Sequence, residues 1–129
     1  MSVIQISVFL ENLPGRLAAL LQVLSDARVN LKALTVADSA EFGIVRVVVD
    51  NVDTAMRAIR AADMTATTTE VLRVEIPDVP GGMAKHIVEP LAAAGVNIQY
   101  TYAYSERTGQ RAVVVLKVDD LEKAQQVLA

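Results

Sequence analysis

The sequence contains no cysteine and no tryptophan, and only one histidine, His86. Without cysteine there is no disulfide staple, no thiol nucleophile and no thiolate to ligate a metal. A lone histidine does not make a metal site of the usual nitrogen–sulfur kind, so no metal and no cofactor is expected. Positive charge is also sparse: 12 Lys and Arg stand against 15 Asp and Glu, net −3, and the basic residues are scattered. Phosphate backbones are met by clustered positive charge, so a nucleic-acid partner is not expected. No apolar run nears the roughly 20 residues that span a bilayer, so no membrane association is expected. The opening "MSVIQISVFLENLPG" lacks a basic start and alternates apolar with polar residues. It reads as a strand and not as a signal peptide, and the expected location is cytoplasmic. There is no Ser/His/Asp grouping, no phosphate loop, and no carboxylate pair beyond those of solvated helix faces. No catalytic residue is assigned, and the chain is not expected to be an enzyme.

What is present is apolar material and repetition. The 129 residues are 53% hydrophobic, which suffices for one ordinary domain or two very small ones. Pro14-Gly15 recurs as Pro80-Gly81, an offset of 66 in the numbering. "VNL" at Val29 to Leu31 recurs as "VNI" at Val96 to Ile98, an offset of 67. "VVVDNVDTAMRAI" from Val47 recurs as "LKVDDLEKAQQVL" from Leu116, an offset of 69. The offset grows as small insertions would make it grow.

Each half reads alike. Ile4, Ile6, Val8 and Leu10 alternate with Gln5, Ser7 and Phe9, the period of a strand with one buried face. Leu72, Val74 and Ile76 alternate with Arg73 and Glu75 in the same way. A helix follows in each half. Leu17, Leu20, Leu21 and Leu24 keep helical spacing, and Met83, Ile87 and Leu91 keep it more loosely. Two strands come next, joined by turns at 39–41 and 106–109, and then a second helix. "MTATTT" closes the first half as a strand. The order is β-α-β-β-α-β, the ferredoxin-like split unit, twice in tandem. The expected fold class is therefore α+β, with antiparallel sheets and helices on one face. The expected units are residues 1–69 and 70–129. The second stops in its last helix, so its last strand is missing, which leaves an open sheet edge or a place filled from elsewhere.

The corners between first strand and first helix carry the candidate chemistry. Pro14 suits a first helical turn and keeps Leu13 out of the helix. Gly15 removes a Cβ at the helix mouth. The first-turn N–H groups of Gly15, Arg16 and Leu17 lack intrahelical acceptors and carry partial positive charge, an arrangement suited to a small carboxylate. Arg16 would add a bidentate donor. Asn12 sits two residues ahead of Pro14, its side chain expected to be open to other work. The second corner offers Asp78, Val79, Pro80, Gly81 and Gly82, with Gly82 opening it further and Asp78 suited to an ammonium group. Asn30 and Asn97, at the start of the next strand, would join their corners if the strand began beside the helix mouth. The plainer alternative is that Asn12 and Asp78 make Asx-turns and that Asn30 and Asn97 only end a connection.

Two β-α-β-β-α-β units, each with an Asn/Asp-x-Pro-Gly corner and a "V-N-L/I" strand start, resemble tandem ACT domains over roughly Val3 to Ala129. ACT domains are regulatory modules that bind amino acids or similar metabolites, usually where ACT units meet. Carried over, the resemblance implicates Asn12, Leu13, Pro14, Gly15 and Asn30, with Asp78, Val79, Pro80, Gly81 and Asn97 in the second unit. It implies a non-catalytic amino-acid sensor working as a homodimer. The alternative is a structural module that dimerises or docks on a metabolic enzyme.

Three further features stand out. Tyr100, Tyr102 and Tyr104 fall on one strand face, and would cover the helix-free side of the sheet or line an interface or pocket. His86 aligns with Leu20 and is expected near a buried or interfacial helix face. Pro90 falls mid-helix, where the repeat gains one residue between Ile87 and Leu91, so a kink or π-bulge is expected there.

Overall fold

A computed structural model describes residues 1–39, 42–105 and 110–129. Among the described residues six strands and four helices follow: β1 (Ser2–Glu11), α1 (Arg16–Asp26), β2 (Leu31–Ser39), β3 (Phe42–Val49), α2 (Val52–Ala61), β4 (Thr65–Pro77), a π turn (Ala84–Val88) leading into α3 (Glu89–Ala93), β5 (Ile98–Ser105), β6 (Arg111–Val118) and α4 (Leu121–Leu128). The order is the expected one except that the strand closing the first half and the strand opening the second are one continuous β4. The class is α+β, as the repeat pattern implied. The two expected hairpin turns fall on segments outside the described residues.

Residues 4–69 form one compact unit. Its sheet runs β2-β3-β1-β4. Both β1 and β2 pair antiparallel with β3, so they run parallel to each other. The core joins Ile6, Val8, Val45 and Val47 from the sheet to Leu20, Leu24 and Ile59 from the helices. Burying each such side chain contributes about 1.5–3 kcal/mol. The alternation of β1 holds at Ile6, Val8 and Leu10, but Ile4 is exposed while Gln5 and Ser7 are buried. The other side of this strand is therefore covered too, which a simple one-sided reading does not anticipate.

The second unit contains residues 70–129 together with residues 1–3. Its core is the counterpart of the first: Leu72, Ile76, Leu116 and Val118 against Ile87, Leu91 and Ala124. The place of the missing last strand is filled from elsewhere. The start of β1 lies along β4, and Arg73 donates its backbone N–H to the Met1 carbonyl at 2.9 Å. Satisfying that edge matters because an unpaired buried N–H costs about 1–3 kcal/mol.

Two details of the second unit follow from register. A shift between Ile98 and Tyr100 turns Ile98 toward the core opposite Val118 and sets Tyr100, Tyr102 and Tyr104 opposite Lys117, Val115 and Val113. The tyrosines thus share one face, as expected, and half-buried they flank the buried Val113 and Val115. On that face Glu75 bridges Arg73 at 3.0 Å and Arg111 at 3.5 Å. Burial pulls the Arg73 guanidinium pKa down, but its hydrogen bonds to Glu75 and Tyr104 outweigh this and raise it.

The extra residue of the second repeat is absorbed earlier than the sequence suggested. Leu17 and Met83 correspond at an offset of 66, whereas the buried pairs Leu20/Ile87 and Leu24/Leu91 correspond at 67. The insertion therefore lies within the π turn, not between Ile87 and Leu91. Glu89 donates its N–H to Ala84, five residues back, as a π turn requires. Pro90, which has no N–H, then falls at the start of α3, where no donor is needed. His86 is consequently exposed and Ile87 takes the buried place of Leu20, correcting the expected alignment of His86 with a buried face.

Candidate functional site

The two Pro-Gly corners are built with the same hydrogen bonds. In the first, Leu13 N–H donates to the Glu11 carbonyl at 2.8 Å, Arg16 N–H to Leu13 at 3.3 Å, and Ala19 N–H to Gly15 at 2.9 Å. In the second, Val79 N–H donates to Pro77 at 3.1 Å, Gly82 N–H to Val79 at 3.0 Å, and Lys85 N–H to Gly81 at 3.0 Å. Every donor and acceptor is displaced by the same offset that separates the two Pro-Gly pairs. Gly15 and Gly81 both have positive φ, 87° and 76°. Proline followed by a positive-φ glycine is the pattern of a type II turn, so the proline belongs to the turn and not, as expected, to the first helical turn.

This changes which donors remain open. Gly15 caps α1 without a side chain, and Arg16 N–H is already taken by Leu13. The groups lacking an intrahelical acceptor are therefore those of Leu17 and Ala18. The second helix of each unit differs. The Asn51 side chain accepts from Thr54 N–H, and Asp120 from Lys123 N–H, both at 3.1 Å. Side chains thus cap α2 and α4, while no side chain caps the helix mouth at the first corner.

The side chains around the corners are not equivalent. Arg16 pairs with Glu11 through one nitrogen at 3.4 Å, both half-exposed. Asn12 and Asp78 are both exposed and both interact within the protein, so the expected idleness of Asn12 does not hold. Gly82 is buried, and a Cβ there would meet the Pro77 carbonyl oxygen at 2.7 Å. It permits a close backbone approach and does not widen the corner as expected.

A shallow groove lies beside each corner; the second is lined by the corner's own Val79, Pro80 and Gly81, whereas the first is reached by the flanking Glu11 and Arg16 and not by Asn12, Leu13, Pro14 or Gly15. The first, about 370 Å³, is bounded by Phe9, Glu11, Arg16, Phe42 and Asp63. The second, about 510 Å³, runs from Val79, Pro80 and Gly81 along the π turn past Lys85 and His86 to Glu89. Both volumes are within the range of small-molecule sites.

Asn30 and Asn97 are not at these corners. β1 ends where β3 begins, at the pair Glu11/Phe42, whereas Leu31 pairs with Val49 at the far end of β3. Asn30 thus lies at the opposite end of α1 from Gly15, about 16 Å along the helix axis for its 11 residues. Asn97 lies correspondingly far from Gly81, since Pro77 pairs with Arg111 and Ile98 with Val118. The missed partners are aspartates. Asn30 N–H donates to the Asp50 carboxylate at 3.0 Å, and Asp50 N–H to the Asn30 carbonyl at 3.2 Å. Asn97 and Asp119 repeat this at 2.9 and 3.1 Å. The sequence signal was available: "VVVD" and "LKVD" end the third strand of each unit with Asp.

The corners and clasps are duplicated with the fold. The family model for ACT domain pairs matches residues 1–129. The chain is an ACT domain pair. No curated protein matches it. It is similar to the crystal structure of protein BT0572 from Bacteroides thetaiotaomicron, at 37% identity and a TM-score of 0.94, covering 99% of this chain and 87% of that one. The fold is also that of the ligand-free regulatory subunit of aspartate kinase from Thermus thermophilus, at 20% identity and a TM-score of 0.69, covering 99% and 93%. The corresponding subunit from Thermus flavus gives 19% and 0.67, covering 98% and 94%. The matched family is a regulatory one. Among the described residues of this ACT pair, no three His, Asp or Glu side chains gather as a metal site would require, and no helix is long and apolar enough to cross a membrane.

Proposed function

We propose that this ACT domain pair is a non-catalytic regulatory module that binds a small metabolite, most simply an amino acid, and works as a homodimer. The observation that carries the reading is the pair of corners with matching hydrogen bonds, each beside a groove of metabolite size. At the first corner the uncapped start of α1 offers the Leu17 and Ala18 N–H groups and the positive end of the helix dipole to a carboxylate. Asn12, Leu13, Pro14 and Gly15 form the turn ahead of that mouth; Val79, Pro80 and Gly81 border the second groove, with Asp78 next to them in the chain but outside its lining. Asn30 and Asn97 stand at the other end of their units, so a site uniting a corner with a strand start is not formed within a single unit. Binding would then favour one arrangement of copies over another, which is how a ligand shifts a population. Isothermal calorimetry with the common amino acids, alongside light scattering to count copies, tests this. Heat at millimolar ligand from a dimer supports it; well-folded protein giving no heat with any of them removes it.

A second reading is docking on a metabolic enzyme without ligand. Its support is Leu34 and Val36, exposed on β2 at the end of the first unit's sheet, and the fold shared with subunits of an enzyme. Stoichiometric capture of one enzyme from native extract, unchanged by amino acids, would favour this reading over the first.

A further inference from the structure

The two corners share a backbone but not a charge pattern. At the first, the cation Arg16 is held by Glu11. In the second unit their counterparts are Gly82 and Pro77, so neither charge exists there. Instead the π turn supplies Lys85 and His86. It adds one residue between Met83 and Ile87 while the buried positions stay aligned, so the added position falls on the solvent side. The groove is bordered there by Lys85, His86 and Glu89. Lys85 and Glu89 are four apart, a spacing that pairs charges on a regular α-helix. Yet among the described residues no ion pair joins them. Asp78 does not border the groove.

Building on the proposed metabolite-binding role, we infer that the second groove takes a dicarboxylic amino acid. Lys85 and His86 receive its two carboxylates and Glu89 receives its ammonium group. The first groove is bordered by two carboxylates, Glu11 and Asp63, and by one cation, Arg16, which lies against Glu11, so its charge balance suits a second carboxylate less well.

The test is calorimetry on the full chain with L-aspartate and L-glutamate, against their neutral isosteres L-asparagine and L-glutamine. The acids are expected to bind about tenfold more tightly than the amides, a modest demand for charge-assisted hydrogen bonds. Lys85→Gln and His86→Gln should each weaken acid binding by about fivefold to tenfold, with circular dichroism unchanged, whereas Arg60→Gln on α2 should not. Amide shifts at residues 79–89 on titration with L-aspartate would locate the site independently. The inference is overturned if the amides bind as tightly as the acids, if the shifts fall elsewhere, or if Lys85→Gln leaves affinity intact. Binding of neutral amino acids alone overturns it and leaves the wider proposal standing; no binding of any amino acid removes both.

Discussion

Asn97 and Asp119 close a ring of two hydrogen bonds, backbone N–H to carboxylate at 2.9 Å and backbone N–H to carbonyl at 3.1 Å, that ties the start of β5 to the end of β6. Asn30 and Asp50 do the same in the first unit. Asp119→Ala should lower stability by about 1 kcal/mol, the lower end for a charged acceptor because the ring is exposed. Asp119→Asn keeps the acceptor and should lose less. Urea denaturation of the two variants checks the order; equal losses would mean the side-chain acceptor is not what matters.

Gly82 lies against its own strand end. Gly82→Ala places a methyl where the Pro77 oxygen stands at 2.7 Å, and should cost about 1–3 kcal/mol. Arg16→Ala at the equivalent position removes only an exposed ion pair and should stay within about 0.5 kcal/mol of the parent. Thermal melts of both proteins make the comparison. A harmless Gly82→Ala would show that the corner has room to give.

Arg28 ends α1 with φ of 59°, where the second unit has Gly95 at 75°. A left-handed arginine is strained by about 1–2 kcal/mol, partly offset by the greater freedom glycine has when unfolded. Arg28→Gly should therefore raise stability by up to about 1 kcal/mol. The midpoint of chemical denaturation reads this directly, and a fall in it would contradict the assignment of strain.

The π turn and Pro90 are coupled. Deleting His86 would restore a regular helix but bring Pro90 into its interior, a loss of about 3 kcal/mol. Deleting His86 together with Pro90→Ala should recover most of that loss. Denaturation of the single and double variants settles whether the proline and the extra residue compensate each other.

Removing Met1 to Val3 takes away the acceptor of the Arg73 N–H. The Arg73 amide should exchange with solvent markedly faster and the second unit should melt at lower temperature. The centre of the first unit, at amides such as Val47, should be nearly unaffected. Hydrogen exchange resolved by residue distinguishes the two units.

Much of this was legible because local rules and repetition agreed. The offset between the Pro-Gly pairs carried over to each hydrogen bond of the corners, and the mid-helix proline announced an irregular turn. What escaped depended on direction in three dimensions. The clash awaiting a Cβ at Gly82 depends on where the Pro77 carbonyl points, which composition does not encode. The separation of Asn30 from Gly15 follows from β1 and β2 both opposing β3, a topological consequence that motif spacing alone conceals. The position of His86 turned on which side of one inserted residue the alignment was broken, and only the burial of Ile87 decides that.

The borrowed edge also bears on biosynthesis. Residues 4–69 contain every strand and helix of their unit, so it can close while the following half is still being synthesised. Its neighbour is completed by residues made before the first unit, with Met1 and Arg73 of β4 meeting across more than half the chain. Such distant closures are slow to form. Residues 1–3 must therefore stay accessible until the second unit emerges, and a bulky domain fused directly ahead of them would obstruct the carboxy-terminal unit more than the one it adjoins in sequence.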